Sequence, residues 1–223
     1  YSIGAMNHLQ NEATFSVDPP GTGDLGAGLA SYNPGVDDGI GNSKGIDNYY
    51  ASTTTPGYAH SYLLSSVLSA DYVDVTGNGV TDDDLGSYTK FNYTKKENDY
   101  RWKAPFNKGK AQYSPGFWSD PKDDKGSYII GSRDEWMLSS IETKPFIAEF
   151  VVSQRNDGCG SREAIVKSGT YNVAPYNDTL ASPASSYKLD SIKLYNKHDR
   201  YINGNNAIPI KTIIFAYDYS LCK

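Results

Sequence analysis

Apolar and polar residues alternate along several stretches of the chain, with the period of two that is typical of β-strands. The clearest alternation covers residues 136–141 and 146–152, and the turn sequence Asn-Asp-Gly at 156–158 follows the second stretch. We therefore predict that residues 136–143 and 146–153 form antiparallel neighbouring strands. Further strands are predicted at residues 12–17, 88–94, 100–104 and 189–195, and residues 58–68 fit either a strand or a short helix.

Residues 208–219 form the most apolar stretch, and their apolar side chains fall on both faces of the predicted strand. A strand that is apolar on both faces usually lies in the middle of a sheet and is covered on both sides. The pattern therefore predicts that Ile210, Ile214, Phe215 and Tyr217 are largely buried.

The same patterns predict an all-β protein with an antiparallel sheet, because no stretch keeps the helical period of about 3.6 residues between helix caps. Pro, Gly, Asn and Asp cluster in residues 18–41 and 107–126, which indicates long loops. We divide the chain into a loop-rich N-terminal segment, residues 1–57, with one or two strands, and an antiparallel β domain, residues 58–223. We expect at least about 35% strand and less than about 15% helix, against an average strand content of about 20–25%.

Composition supports this class and excludes two kinds of partner. Tyrosine makes up 19 of the 223 residues, and aromatic residues pack well on a pleated surface. The net charge is −5, and the longest basic clusters are pairs such as Lys95-Lys96. Nucleic-acid binding is therefore not expected, because it needs clustered Lys and Arg. No run approaches the roughly 18 apolar residues of a membrane-spanning helix, so we expect no membrane span.

The ends of the sequence indicate a segment of a longer protein. Tyr1 opens the chain without an initiator Met or a signal peptide, and the chain stops just after a predicted strand. Cys159 and Cys222 are the only cysteines. One disulfide between them and two free thiols are both compatible with the sequence.

The sharpest local motif is the acidic sequence Asp-Val-Thr-Gly-Asn-Gly-Val-Thr-Asp at residues 74–82. Oxygen-bearing groups fall at alternate positions, as in calcium-binding loops, and the glycine at the sixth position permits a sharp turn. The predicted calcium ligands are Asp74, Thr76, Asn78, the main-chain carbonyl of Val80, and Asp82. The glutamate that ends an EF-hand loop is absent, and a metal-free β-turn built on Asn78-Gly79 is the alternative.

Other residues with useful chemistry are more scattered. Glu142 and Glu149 have the chemistry of a glycosidase acid pair, although acidic residues on strands are more often solvated. The aromatic residues Trp102, Tyr113, Phe117 and Trp118 lie near one another in sequence and can either stack on sugars or pack beneath a loop. The three histidines, His8, His60 and His198, have no metal-binding spacing and are predicted to be structural.

The sequence contains, in this order, the phrases TTTPGYAHSYLLSSVLSADYVDVTGNGVTDDDLGSYTKFNYTK, YRWKAPF, DEWMLSSIETKPFIAEF and AIPIKTIIFAYDYSLCK. Together they resemble a family of very large secreted or cell-surface proteins of Bacteroidota. The resemblance implies an extracellular or cell-surface location in a Gram-negative bacterium, and an internal position in a longer chain. It implies no activity.

A more distant likeness concerns shape. The spacing of apolar residues in 136–143, 147–150 and 189–195, with the turn at 156–158, looks like the strand-turn-strand unit of Rhs/YD-repeat shell proteins. That likeness implies an antiparallel meander or spiral sheet. The chain departs from the pattern by having one suitable Tyr-Asp pair, at 217–218, and a long insertion at 160–186.

The function expected from these features is that of a structural or adhesive β module in a large secreted or cell-surface bacterial protein. Calcium is expected to brace the acidic loop, and no catalytic residue has a convincing spacing. The expected partners are the rest of its own larger chain, other surface proteins or glycans. A carbohydrate-binding or glycan-active domain is the alternative, because it would use the aromatic residues and the glutamates described above.

Overall fold

The computed structural model describes residues 2–116, 120, 122–161, 163 and 184–220. The strands in this part of the chain are β1 (Ser2–Ser16), β2 (Leu29–Ser31), β3 (Tyr50–Leu64), β4 (Ser66–Leu68), β5 (Tyr88–Ala104), β6 (Lys110–Ser114), β7 (Lys125–Glu142), β8 (Phe146–Cys159), β9 (Ser185–Asn196) and β10 (Lys211–Ile214). The helices are α1 (Thr22–Gly26), α2 (Lys197–Asn203) and a 3-10 turn (Gly204–Asn206). Strands account for 55% of the structure and helices for 8%, so the predicted all-β antiparallel class is confirmed.

The longest strand, β7, lies at the centre of a single open sheet. Along one edge it pairs with β1 at residues 125–133 and with β8 at residues 140–142. Along its other edge it pairs with β6 at residues 125–127 and with β5 at residues 129–142. Strand β7 therefore holds four other strands in register at once.

The remaining strands extend outward from these four. β3 pairs with β1, β4 with β5, β2 with β6, and β9 followed by β10 continues from β8. The path β10-β9-β8-β7-β1-β3 leaves β10 and β3 at its two ends. Both predicted segments, 1–57 and 58–223, contribute strands to this sheet, and β3 crosses the division between them. The likeness to Rhs-type shells stays a prediction.

The strands form where the alternating pattern is strongest. Ser140, Ile141 and Glu142 lie opposite Glu149, Ala148 and Ile147, so the predicted pairing of 136–143 with 146–153 is confirmed. The turn that joins them is closed by a hydrogen bond of 2.9 Å from the N–H of Thr143 to the carbonyl of Phe146. The other predicted strands are also confirmed, in β1, in β3 and β4, in β5 and in β9. The helix alternative for residues 58–68 is wrong.

The sequence pattern does not predict three features of the structure. Strand β1 begins ten residues before the predicted strand at 12–17, and the short strand β6 lies inside the predicted loop 107–126. β6 has too few apolar residues to show alternation. Helix α2 lies between the last two predicted strands, 189–195 and 208–219. It begins where the side chain of Asn196 accepts a hydrogen bond from the N–H of Asp199.

The apolar core is small and lies beneath the N-terminal half of β7. Phe15 is fully buried at its centre, with ring centroids 5.0 Å from Tyr32 and 5.9 Å from Tyr128. The Tyr32 and Tyr128 rings stack on each other at 5.6 Å. Small and β-branched side chains fill the space around the rings: Ala13, Val17, Ala30 and Ala111.

The predicted burial of the last apolar stretch is wrong. Ile210, Ile214, Phe215 and Tyr217 are 59%, 78%, 38% and 46% exposed. Only residues 211–214 form a strand there, and β10 pairs with β9 alone. The pattern predicted a central strand because apolar residues occupy both faces, but the topology places this strand at an edge, where the described residues cover neither face.

The close packing of the core makes Gly126 a sensitive position. A Cβ atom added at Gly126 would lie 2.9 Å from Val17 and 3.1 Å from Ala111. We expect Gly126→Ala to lower the free energy of unfolding by about 1–3 kcal/mol, because overpacking forces the surrounding side chains to move. Denaturant unfolding measures this. Gly41→Ala is the matched control, because nothing lies within 4 Å of its added Cβ, and a loss of similar size in both variants would contradict the prediction.

Candidate functional site

The acidic loop joins β4 to β5 and is closed at its base by main-chain hydrogen bonds. Val73 and Leu85 form an isolated antiparallel bridge, and the N–H of Ser69 donates to the carbonyl of Ser87 at 2.9 Å. Gly86 has a positive φ of 76°. A Cβ there would lie 2.7 Å from the Cα of Tyr72, so the base of the loop requires glycine.

Asp84, which was not among the predicted ligands, is the buried centre of this loop. It accepts hydrogen bonds from the Tyr72 hydroxyl at 2.6 Å and from the N–H groups of Thr81 at 2.8 Å and Val75 at 3.2 Å. The Tyr72 hydroxyl, followed by the N–H of Thr81, holds the pKa of Asp84 below its ordinary value of 3.8. The Thr81 hydroxyl also donates to Asn78 at 3.0 Å, so this predicted ligand is engaged within the loop.

The first two predicted ligands, Asp74 and Thr76, form hydrogen bonds with other residues of the loop. Asp74 accepts hydrogen bonds from the N–H of Gly77 at 2.7 Å and of Gly79 at 3.0 Å. Thr76 donates its hydroxyl proton to Asp83 at 3.1 Å. These contacts engage Asp74 and Thr76 in hydrogen bonds within the loop.

The last two predicted ligands each contact a lysine. The carbonyl of Val80 accepts a hydrogen bond from Lys90 at 3.1 Å, and Asp82 accepts one from Lys197 at 2.8 Å. Two of the five predicted ligands are therefore hydrogen-bonded to ammonium groups of the same chain, which would have to move away before a calcium ion could bind there. Within the described residues, no group of three or more His, Cys, Asp or Glu side chains could hold a metal ion. Calcium binding by the loop stays a prediction.

Lys197, at the start of α2, joins the acidic loop to the sheet. Besides Asp82, its ammonium contacts the Tyr88 hydroxyl at 2.9 Å and Glu142 at 3.2 Å. Burial alone would lower the pKa of Lys197, but the hydrogen bonds to these three groups outweigh burial and raise it. One turn later, Arg200 makes two hydrogen bonds to Glu149, at 2.7 and 3.3 Å.

These contacts bear directly on the predicted acid pair. Glu142 lies opposite Ile147 and Glu149 lies opposite Ser140, so both glutamates lie on one face of neighbouring strands. Each carboxylate forms an ion pair with a cation from α2. Glycosidase activity by this pair stays a prediction.

The predicted aromatic platform is not brought together in the described residues. Trp102 lies against Gly131 on the neighbouring strand, so closely that an added Cβ would meet the indole at 2.6 Å. Tyr113 packs against the apolar core, and its hydroxyl donates to Asp124 at 2.7 Å. Phe117 and Trp118 lie outside the described residues. Sugar stacking by this set stays a prediction.

The three histidines differ in their surroundings. His8 contacts buried Asp134 at 2.7 Å, and Lys95 contacts the other oxygen of that carboxylate at 2.9 Å. Burial would raise the pKa of Asp134, but Lys95 and His8 outweigh burial and lower it. His60 is exposed on β3 and His198 is exposed on α2.

Lys103 and Glu163 form the most deeply buried ion pair among the described residues. Their ammonium and carboxylate groups are 2.9 Å apart, and their side chains are 0% and 2% exposed. The lysine ammonium also lies 5.1 Å and 5.2 Å from the ring centroids of Tyr32 and Tyr128. No sequence pattern indicates this site, because the alternation places Lys103 on the same polar face as Arg101, and Glu163 belongs to no motif.

Cys159 is exposed at the end of β8 and forms no disulfide with a described residue. Cys222 lies outside the described residues, so the choice between a bridge and two thiols stays open.

Five strongly exposed apolar residues lie on α2, on β10 and on the segment between them. They are Tyr201, Ile202, Ile208, Ile210 and Ile214, and each exposes more than half of its surface. We call this set the C-terminal apolar surface. Exposed apolar patches mark interaction surfaces in many soluble proteins.

No family model, curated protein or solved structure matches this chain. In the part of the chain that the structure describes, no helix is long and apolar enough to cross a membrane. The resemblance to surface proteins of Bacteroidota stays a prediction, and a function has to be inferred from the geometry of the chain itself.

The hydrogen bonds to Asp84 predict how stability depends on pH. Its pKa is lower in the folded chain than the ordinary value of 3.8. The carboxylate therefore stabilises the fold above that value, and this contribution is lost as the pH falls through the lowered pKa. We expect Asp84→Asn to be less stable than the wild type at neutral pH and to lose less stability on acidification.

Denaturant unfolding between about pH 2 and about pH 7 measures this dependence. Tyr72→Phe removes one donor to Asp84 and brings its pKa closer to the ordinary value, so the loss of stability on acidification should be smaller than in the wild type and complete at a higher pH. Parallel curves for Asp84→Asn and the wild type would contradict the prediction.

Calcium binding has a separate test. A bound ion would raise the melting temperature in added Ca²⁺ and lower it in chelator, and Asp74→Ala would abolish both shifts, because a ligand that binds only the folded state stabilises it. Asp99→Ala, outside the loop, is the control and should keep the shifts. A melting temperature that ignores calcium and chelator would overturn the calcium prediction and agree with a loop held by Lys90 and Lys197.

Proposed function

We propose that this chain is a structural or adhesive β module of a large secreted or cell-surface bacterial protein, without catalysis of its own. The observation that carries the proposal is the contrast between its charged and its apolar side chains. The carboxylates with catalytic potential, Glu142 and Glu149, are bound to cations of the same chain. The C-terminal apolar surface faces solvent.

The sheet architecture also suits a scaffold. Long antiparallel strands are joined through β7, and the sheet ends at β10, whose outer edge has main-chain groups that pair with no described strand. Free sheet edges recruit other extended segments, and exposed apolar side chains beside such an edge add contact area. A module of this kind holds other chains or surfaces by contact area and needs no reactive group.

The adhesive part of the proposal is tested by replacing exposed apolar residues. We expect Ile208→Ser with Ile214→Ser to reduce retention of the chain on an alkyl-coated surface several-fold, while the free energy of unfolding changes by about 0.5 kcal/mol or less. Leu25→Ser is the matched control, because Leu25 is 53% exposed but lies on α1. Equal retention of the double variant and the wild type would overturn the proposed role of this surface.

The same preparation tests the absence of catalysis. Glu149→Gln should cost about 1 kcal/mol or less in stability, because a partly exposed ion pair is lost, and the wild type should release no sugar from a panel of glycans. Glycan hydrolysis by the wild type that Glu149→Gln abolishes would overturn the proposal in favour of a glycan-active domain.

A further inference from the structure

The Lys103 and Glu163 side chains meet in a place from which water is excluded. The Nζ atom of Lys103 lies 3.0 Å from Oε1 and 2.9 Å from Oε2 of Glu163. The two side chains are 0% and 2% exposed, and the rings of Tyr32 and Tyr128 flank the ammonium. An amine and a carboxyl group are thus held in contact, and burial lowers the pKa of the amine, which favours its uncharged form.

The hydrogen bonds around the pair orient both groups. The Lys103 ammonium donates to the carbonyls of Asn107 at 3.2 Å and Lys110 at 2.9 Å, which occupies two of its three protons. Its third proton faces Glu163. When that proton passes to the carboxylate, the nitrogen lone pair faces the carboxyl group, while the two carbonyls hold the remaining N–H bonds in place.

The oxygens of Glu163 are each bound to a donor. Oε1 accepts the N–H of Gly109 at 2.8 Å, and Oε2 accepts the hydroxyl of Tyr32 at 3.2 Å. Main-chain N–H groups aimed at a carboxyl oxygen stabilise the negative charge that develops when a nucleophile attacks the carbon. The Tyr32 hydroxyl is placed to protonate the other oxygen as it leaves.

The carboxyl group is also fixed from its own backbone. The Ser161 hydroxyl accepts a hydrogen bond from the N–H of Glu163 at 3.1 Å. The N–H of Ser161 donates to the carbonyl of Arg101, on the same strand as Lys103, at 2.7 Å. This double attachment keeps the two reacting groups at one distance, which replaces an encounter in solution by a reaction within one molecule.

From this geometry we infer that Lys103 and Glu163 condense into an intramolecular isopeptide bond. The Lys103 nitrogen forms a bond to Cδ of Glu163, and the bond from Cδ to Oε2 breaks. Two of the three ammonium protons leave with that oxygen as one water molecule, with Tyr32 relaying one of them. The product is a neutral amide, and no oxidant, reductant or other reactant is required.

Electrostatics support the same reaction. Burial lowers the pKa of Lys103 even though Glu163 opposes this shift, which favours the amine form that attacks. Asp38, which accepts the Tyr128 hydroxyl at 2.8 Å, has its pKa raised chiefly by burial and in part by the charge of Glu163. Condensation removes the Lys103 and Glu163 charges from this buried cluster, which relieves the cost of keeping ions away from water.

The intact mass of the purified chain tests the proposal. We expect the wild type, unfolded in denaturant, to weigh about 18 Da less than its sequence mass, which is the loss of one water. Digestion should give a branched peptide that joins the segments around Lys103 and Glu163. Lys103→Arg should have its full sequence mass, while Lys188→Arg, which alters a partly exposed lysine 3.0 Å from Asp190, should keep the deficit.

Each outcome decides the question. A wild type with its full sequence mass, even after prolonged incubation in the folded state, would overturn the isopeptide bond and leave a buried ion pair. A deficit that persists in Lys103→Arg would place the lost water elsewhere and would also overturn it. The wild-type mass is sufficient if Lys103→Arg does not fold, and neither result changes the expected behaviour of the C-terminal apolar surface.

Discussion

The pairing of β7 along both of its edges is the constraint on which the rest of this structure depends. Buried main-chain N–H and C=O groups need partners, and β7 finds them in β1, β5, β6 and β8. The N-terminal half of β7 lies over the small apolar core, and its C-terminal half carries β8, β9 and β10 away from that core. One strand thus separates a packed region from an uncovered one.

Because the apolar core is small, many of the contacts that join distant segments of the chain are between charged side chains. Lys103 and Glu163 are 60 positions apart, and Lys197 and Asp82 are 115 apart. Buried ion pairs often add little net stability, because removing two charges from water is costly. They do penalise every arrangement in which one partner is missing. In this chain they fix where the acidic loop and α2 lie on the sheet, and a covalent bond between Lys103 and Glu163 would make one of these links permanent.

The sequence predicts what depends on neighbours along the chain and misses what depends on topology. The hairpin of β7 and β8 is visible because period-two alternation and a turn are local features. The position of β10 is not, because two apolar faces describe a central strand and an uncovered edge equally well. The acidic loop shows the same limit. The spacing of its residues predicts Asp74 and Asp82 as calcium ligands, but Asp84 is the buried centre because the Tyr72 hydroxyl packs against it.

The uncovered edge strand β10 is the feature of this sheet that best suits contact with other chains. An exposed, apolar edge strand invites pairing with other chains, and proteins usually blunt it with charge, proline or a covering element. Here Pro209 precedes the strand and Lys211 begins it, but Ile213 and Ile214 face solvent on opposite sides. The side chains of this surface stay in water, so the stabilising contributions seen in the described residues are the packed region around Phe15 and the main-chain pairing of the sheet. Because the C-terminal apolar surface is separate from the core around Phe15, substitutions on that surface can change its contacts with partners without disturbing the packing beneath β7.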